Sequence, residues 1–106
     1  MNRRYAVLWR LANDGDAVYA GSLQLGDGGL RLEGAAGGRH AQAEVVYDTL
    51  VSAEIGRAAG ERIAGRPALH LELDDGRGIR LTTLELGTFN ELAEILQARL
   101  LADADA

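Results

Sequence analysis

The sequence predicts a mainly β domain, a barrel or sandwich of about seven antiparallel strands in two packed sheets, capped by one C-terminal α-helix. Apolar and polar residues alternate in short runs, Gly- and Asp-rich turns separate these runs, and a helical period appears only in the final stretch. Short connections favour antiparallel neighbours, because parallel strands need crossovers of a dozen or more residues.

The N-terminal third predicts a three-stranded meander. Its strands are expected over residues 5–12, 17–25 and 30–33, with turns between them that are rich in Asp and Gly. Gly21 falls inside the second strand, where a glycine indicates a bulge or a close approach of two backbones.

The middle of the chain is predicted to alternate loops and strands. In the short strand 50–55, Val51, Ala53 and Ile55 are expected on one face. The other predicted segments are a Gly- and Ala-rich loop at 34–42, a strand at 44–47, a long loop at 56–67, and a hairpin of strands 69–73 and 79–83.

The last segment has the period of an amphipathic helix. Thr88 followed by Glu91 predicts a capping box at its start, and residues 102–106 are expected to be frayed. Its apolar stripe consists of Phe89, Leu92, Ala93, Leu96 and Leu100.

A chain of 106 residues is long enough for one core and too short for two domains, so we expect a single domain over 1–106. The core is predicted from the apolar faces of the strands and the helix. Its expected members are Val7, Trp9, Leu23, Leu32, Val51, Leu71, Leu81, Phe89, Leu92 and Leu96.

Composition excludes several classes of function. The chain has no cysteine, which excludes disulfides, thiolate metal sites and thiol nucleophiles. Eleven basic residues against sixteen acidic ones give a net charge of -5, which argues against a general nucleic-acid binder. No signal-peptide pattern or membrane-length apolar run is present, so we expect a cytoplasmic protein. All basic residues are Arg, a usage typical of GC-rich bacterial genomes.

The order of elements resembles the pleckstrin-homology (PH) superfold, and in detail small bacterial PH-like domains. The resemblance lies in AGSLQLGDGGLRLEG, GRPALHLELDDGRGIRL and FNELAEIL, and covers the chain from Tyr5 to about Leu101. It implies two near-orthogonal sheets with a C-terminal helix. Lipid-binding members carry basic residues in the first loop, whereas residues 13–16 here are acidic, so membrane lipid binding is not expected.

Candidate catalytic and metal-binding residues are few. His70 and Glu72 alternate on one strand face and are conceivable metal ligands, although two solvated side chains are the favoured interpretation. Calcium binding would need the loops that carry Asp14, Asp16, Asp74 and Asp75 to converge. We therefore predict no catalytic residue, no metal and no cofactor.

The predicted function is that of a non-enzymatic interaction domain that binds another protein or itself. Ala6 and Leu8 give the first strand a second apolar face, which suggests a homodimer. The alternative is a small-ligand or anionic-lipid binding module, in which Arg57, Arg62 and Arg66 of the 56–67 loop capture an anion. That loop is expected to be mobile when unbound and to lack an apolar anchor.

Overall fold

The computed structural model describes residues 3–12, 15, 17–85 and 87–104, with side chains up to residue 100. Seven strands precede one helix in this part of the chain. They are β1 (Arg3–Leu11), β2 (Tyr19–Leu25), β3 (Gly29–Ala36), β4 (Arg39–Val46), β5 (Leu50–Gly56), β6 (Ala68–Leu73), β7 (Gly78–Thr83) and α1 (Thr88–Ala104), with short 3₁₀ turns at Tyr47–Thr49 and Ala59–Glu61.

The strands form one curled antiparallel sheet, a half-barrel with the order β4-β3-β2-β1-β7-β6-β5. β1 is the central strand: Val7 lies opposite Gly21 of β2 on one side and opposite Thr83 of β7 on the other. The mainly β prediction is confirmed. The expected division into two packed sheets is not shown, because the hydrogen bonding between strands is continuous.

The core lies between the concave face of the sheet and α1, which packs chiefly on β5 and β7. Trp9 is fully buried, and its ring lies 4.8 Å from that of Tyr19. Of the ten predicted core residues, eight are buried and Phe89 is partly buried against them.

Val51 corrects the predicted core, because its side chain is 56% exposed. The pairing of β5 with β6 shifts register between Leu50 and Ser52, which is a β-bulge. A bulge adds one extra residue to one strand of a pair, so the inward and outward alternation of side chains is interrupted at that residue. Leu50 and Ala53 therefore face the core, and Val51 faces outward.

The predicted loop at 34–42 is wrong. β3 and β4 are longer than expected and are joined by Gly37 and Gly38, whose φ angles are 55° and 84°. Two consecutive residues with positive φ make the tight turn that matches the twist of a hairpin. The apolar residues in the first part of Arg39–Val46 are alanines, which mark a strand only weakly, and this concealed the strand in the sequence.

The start of α1 also differs from the prediction. The Thr88 hydroxyl donates to the Glu85 carbonyl at 2.7 Å, and Glu91 instead accepts from Arg3 at 2.6 Å and from the Tyr5 hydroxyl at 3.0 Å. Glu91 thus joins the helix to β1 rather than closing a capping box. α1 continues to Ala104 through part of the stretch expected to be frayed, and residues 105 and 106 lie outside the described part. Within the described residues, no helix has the length and apolar character of a membrane span.

Candidate functional site

The segment 56–67 is a folded turn rather than an unanchored loop. Ile63 and Arg66 exchange two backbone hydrogen bonds of 3.0 and 2.9 Å around Ala64 and Gly65, which both have positive φ. The side chain of Ile63 is only 2% exposed. The expectation that no apolar residue anchors this segment is therefore wrong.

The same segment folds back over the outer, convex face of β6 and β7. The His70 ring lies 3.0 Å from the Glu61 carbonyl, and Arg80 donates to the Gly60 carbonyl at 3.3 Å. Ala68 and Thr82 are on this convex face, since each adjoins a core-facing leucine, and both are buried. One end of the convex face is thus already covered by the chain itself.

Two of the three predicted anion-binding arginines bond to backbone carbonyls. Arg62 donates to Arg57 at 2.7 Å and to Gly65 at 3.0 Å, while Arg66 donates to Thr83 at 3.1 Å and to Leu84. Arg57 makes no side-chain hydrogen bond or ion pair with any described residue. All three are exposed. Arg66 lines an open concavity with Pro67 and Phe89, and neither Arg57 nor Arg62 lines that concavity. Anion binding by this trio stays a prediction.

The predicted self-association residues, Ala6 and Leu8, are half-buried on the convex face of β1. Leu8 lies opposite Ala20 of β2 and Thr82 of β7, and Ala6 lies opposite Ser22. These neighbours on both sides cover much of each side chain. Association through this face stays a prediction.

The candidate metal ligands are not brought together in the described part of the chain, which contains no cluster of three or more His, Asp or Glu residues that could hold a metal ion. Asp14 and Asp16 lie outside the described residues. Asp75 accepts from the backbone N–H of Arg77 at 3.0 Å and from its side chain at 2.7 Å. The backbone hydrogen bond, followed by the guanidinium, holds the pKa of Asp75 below its usual value.

The two edges of the sheet, β4 and β5, differ in how they are protected. β5 carries the bulge at Leu50 to Ser52, and α1 packs along it. The Gln97 side chain of α1 donates to the Ala53 carbonyl at 3.0 Å, so a helix satisfies part of this edge. Bulges and covering helices are common means by which proteins block edge strands. β5 is therefore a protected edge.

β4 is a regular edge strand. It pairs with β3 in an unbroken register from Val46 opposite Gly29 to Arg39 opposite Ala36, with no bulge. It contains no proline, and its charged residues are Arg39 and Glu44, of which Glu44 is paired with Arg31. An edge without a bulge, a proline or a covering helix is able to accept another strand.

The direction of the β4 peptide groups follows from one hydrogen bond. Tyr47 N–H donates to the Gly28 carbonyl at 3.1 Å, so this pair is a hydrogen-bonded one. Bonded and non-bonded pairs alternate along antiparallel strands. The N–H and C=O groups of every second residue therefore point away from β3. We call His40, Gln42 and Glu44 the open edge; all three are exposed, and Val46 follows them in the same alternation.

The C-terminal end of β4 is firmly held. Thr49 donates from its hydroxyl to the Val46 carbonyl at 2.7 Å, and the buried Tyr47 donates to the Gly26 carbonyl at 3.0 Å. Burial raises the pKa of Tyr47, with Asp27 adding to the rise and the nearby Arg99 guanidinium opposing it. These two hydrogen bonds tie the end of β4 that follows the open edge to Gly26 and to the 3₁₀ turn.

Two open concavities lie beside the open edge. One, of about 360 Å³, is lined by Leu30, Arg31, Glu44 and Val46 among others, and Arg31 and Glu44 form an ion pair of 3.0 Å there. The second, of about 370 Å³, is lined by residues that include Glu33, Ala35 and His40. Pockets next to an edge strand give specificity for alternate side chains of an added strand.

The open edge is not evident in the sequence, because the first part of β4 falls in the Gly- and Ala-rich stretch 34–42, which predicts a loop. Two signals were available: the Gly37-Gly38 pair, which is typical of a two-residue hairpin turn, and the alternation of Ala41, Ala43 and Val45. Alanine is a weak marker of a buried strand face, and it is depleted in strands.

Comparisons with known proteins give a fold and no family. No protein-family model matches the chain, and no curated protein matches it. Three chains of solved structures match. One of them is the C-terminal domain of an unknown protein from Leishmania infantum, with a TM-score of 0.65 and a sequence identity of 16%. The aligned region covers 93% of this chain and 82% of the Leishmania chain. At this identity the likeness concerns the fold.

Proposed function

We propose that this chain is a non-enzymatic, PH-like interaction domain that binds an extended protein segment along β4. The observation that carries the proposal is the contrast between the two sheet edges. β5 is blocked by a bulge and by Gln97 of α1, whereas the peptide groups of His40, Gln42 and Glu44 point outward. An added strand satisfies such groups with main-chain hydrogen bonds.

The PH-like assignment is supported by the order of elements, seven antiparallel strands followed by a helix that packs on the sheet. Strands that are consecutive in the chain pair with each other, except that β4 does not pair with β5, and β1 also pairs with β7. The function does not follow from that fold, because one fold hosts many functions. It rests on the open edge. The proposal places the domain in the cytoplasm, with protein as its partner and without a cofactor.

A peptide-display library of random extended sequences tests the proposal with wild type and Gln42→Pro as paired baits. Proline at Gln42 removes an N–H that points away from β3, so the hairpin tolerates it, whereas an added strand loses a hydrogen bond and meets the ring. We expect peptides selected on wild type to lose binding to Gln42→Pro.

Ala41→Pro is the control for placement of the proline. The N–H of Ala41 bonds to β3, so proline at this neighbouring position is expected to destabilise the fold itself, whereas Gln42→Pro is not. Selected peptides that bind wild type and Gln42→Pro equally would contradict binding along β4.

A further inference from the structure

We infer that the strand added to β4 is β4 of a second copy of this chain, paired antiparallel about a two-fold axis that passes through Gln42. This inference rests on the proposed function, because it names the partner of the same open edge. Three features of β4 support it: the register of the strand, the polar side chains along it and the small side chains beside Gln42.

A two-fold axis perpendicular to the sheet keeps the faces of both copies aligned, so residues on one face lie opposite residues on the same face. With Gln42 on the axis, Gln42 faces the partner's Gln42 and His40 faces the partner's Glu44. Each of these residues belongs to the open edge, so these pairs are the ones whose N–H and C=O groups meet. The pairing therefore satisfies the outward groups of the whole open edge.

The polar side chains favour this register over its neighbours. An axis at Gln42 sets the His40 imidazole opposite the partner's Glu44 twice, once on each side of the axis, and complementary polar pairs across strands are stabilising. Glu44 also pairs with Arg31 of its own chain at 3.0 Å, so its carboxylate is held on this face. An axis at Ala41 or Ala43 leaves Glu44 opposite no basic side chain. An axis at His40 or Glu44 places identical titratable groups face to face.

The other face of β4 carries small side chains near the axis. With the axis at Gln42, Ala41 lies opposite the partner's Ala43, and both side chains are single methyl groups. The Ala43 side chain is buried in the core of its own chain, with 8% of its surface exposed. Next to the axis only methyl groups lie between the two copies on this face, and Arg39, at the end of the strand, lies opposite the partner's Val45.

Charge variants at the axis test the inference sharply, because a residue on a two-fold axis meets itself. Gln42→Lys and Gln42→Glu each place like charges together in a dimer, and each is expected to weaken dimerisation about tenfold in sedimentation velocity. An equimolar mixture of the two variants sets opposite charges together and is expected to dimerise as wild type does.

Asn90→Lys and Asn90→Glu are the matched controls, since Asn90 is another exposed amide and lies on α1. Both are expected to dimerise as wild type. Circular dichroism and thermal unfolding of every variant separate loss of pairing from loss of fold, which matters for Gln42→Glu because Glu33 lies opposite it within the chain.

The outcomes separate this inference from the proposed function. A wild-type chain that stays monomeric at high micromolar concentration overturns the second copy as partner, while peptide binding that depends on Gln42 would still support the proposed function. A dimer that is weakened by Leu8→Gln and unaffected by both Gln42 variants overturns the inference in favour of the convex face of β1. Weakening by each Gln42 variant alone, with recovery in the mixture, supports it.

Discussion

The indole ring of Trp9 lies against Gly34, on a core face that has no space for a further side chain at that position. A β-carbon built at Gly34 would stand 3.0 Å from the indole nitrogen and 3.0 Å from the Ala20 carbonyl oxygen. The same indole N–H donates to the Glu33 carbonyl at 3.2 Å. The glycine therefore makes room for the largest residue of the core.

Gly34→Ala is expected to lower the free energy of unfolding by about 1 to 3 kcal/mol, because the added methyl group overfills this site. Gly28→Ala is the control, since a β-carbon there meets nothing within 4 Å and its φ is not positive. Denaturant unfolding gives both values. Equal midpoints for the two variants would show that the Trp9 site tolerates the methyl group.

Val51→Ala is expected to change stability by no more than about 0.5 kcal/mol, because the bulge turns this side chain outward. Leu71→Ala is expected to cost about 2 to 5 kcal/mol, because Leu71 is 2% exposed and leaves a cavity. Thermal and denaturant unfolding measure both changes. A large loss for Val51→Ala would mean that the β5 register differs from the one described.

Arg66→Gln is expected to destabilise the domain by about 1 kcal/mol, through loss of the charged donor to Thr83 and Leu84. Arg57→Gln is expected to cause no comparable loss of stability, since the Arg57 side chain has no partner among the described residues. Unfolding midpoints compare the two variants. Similar midpoints would remove the structural role given to Arg66.

Arg57→Gln is also the most informative variant for anion binding, because it leaves the folded turn intact. If the alternative function is correct, wild type is retained on anionic liposomes or phosphate-bearing resin at low salt, and both Arg57→Gln and the triple Gln variant at Arg57, Arg62 and Arg66 lose retention. Equal retention of wild type and the triple variant would exclude these arginines as an anion site.

The buried Tyr47 predicts a loss of stability at alkaline pH. Burial raises its folded-state pKa above the ordinary value of a tyrosine, so at pH values between the unfolded-state and folded-state pKa the folded chain keeps a proton that the unfolded chain releases. The stabilisation that comes from keeping Tyr47 protonated is complete below the unfolded-state pKa and is lost as the pH rises through the folded-state pKa. Tyr47→Phe is expected to flatten this decline in unfolding midpoint. An unchanged slope would assign the decline to other groups, such as Tyr5, whose pKa burial also raises.

Sequence patterns predicted the strands whose faces alternate strongly. The β6–β7 hairpin and the stripe of α1 were found because leucines mark their buried faces and Gly or Asp marks the turns. The position of Val51 was not predictable from alternation, because a bulge breaks the period of two through contacts with a different strand. Glu91 likewise accepts a hydrogen bond from Tyr5 of β1, which is far away in sequence, instead of completing the local capping box.

The candidate site was predicted less well than the fold. Arg57, Arg62 and Arg66 were singled out because guanidiniums cluster in the sequence, but bonds from Arg62 and Arg66 to carbonyls depend on how the turn folds. The open edge was missed because an edge is a property of the whole sheet. Only the complete strand order shows that β4 is terminal and that α1 lies along the opposite edge.

The double pairing of β1 also has a consequence during synthesis of the chain. β1 meets β2 soon after it leaves the ribosome, but its second partner, β7, is among the last segments to be made. Until then β1 is itself a sheet edge, more apolar than β4, and its closure carries the entropic cost of a long loop. The nascent chain is therefore expected to pass through a state in which Leu8 and Trp9 lie on a strand with one unpaired edge. Exposure to aggregation is greatest in that interval and ends when β7 docks.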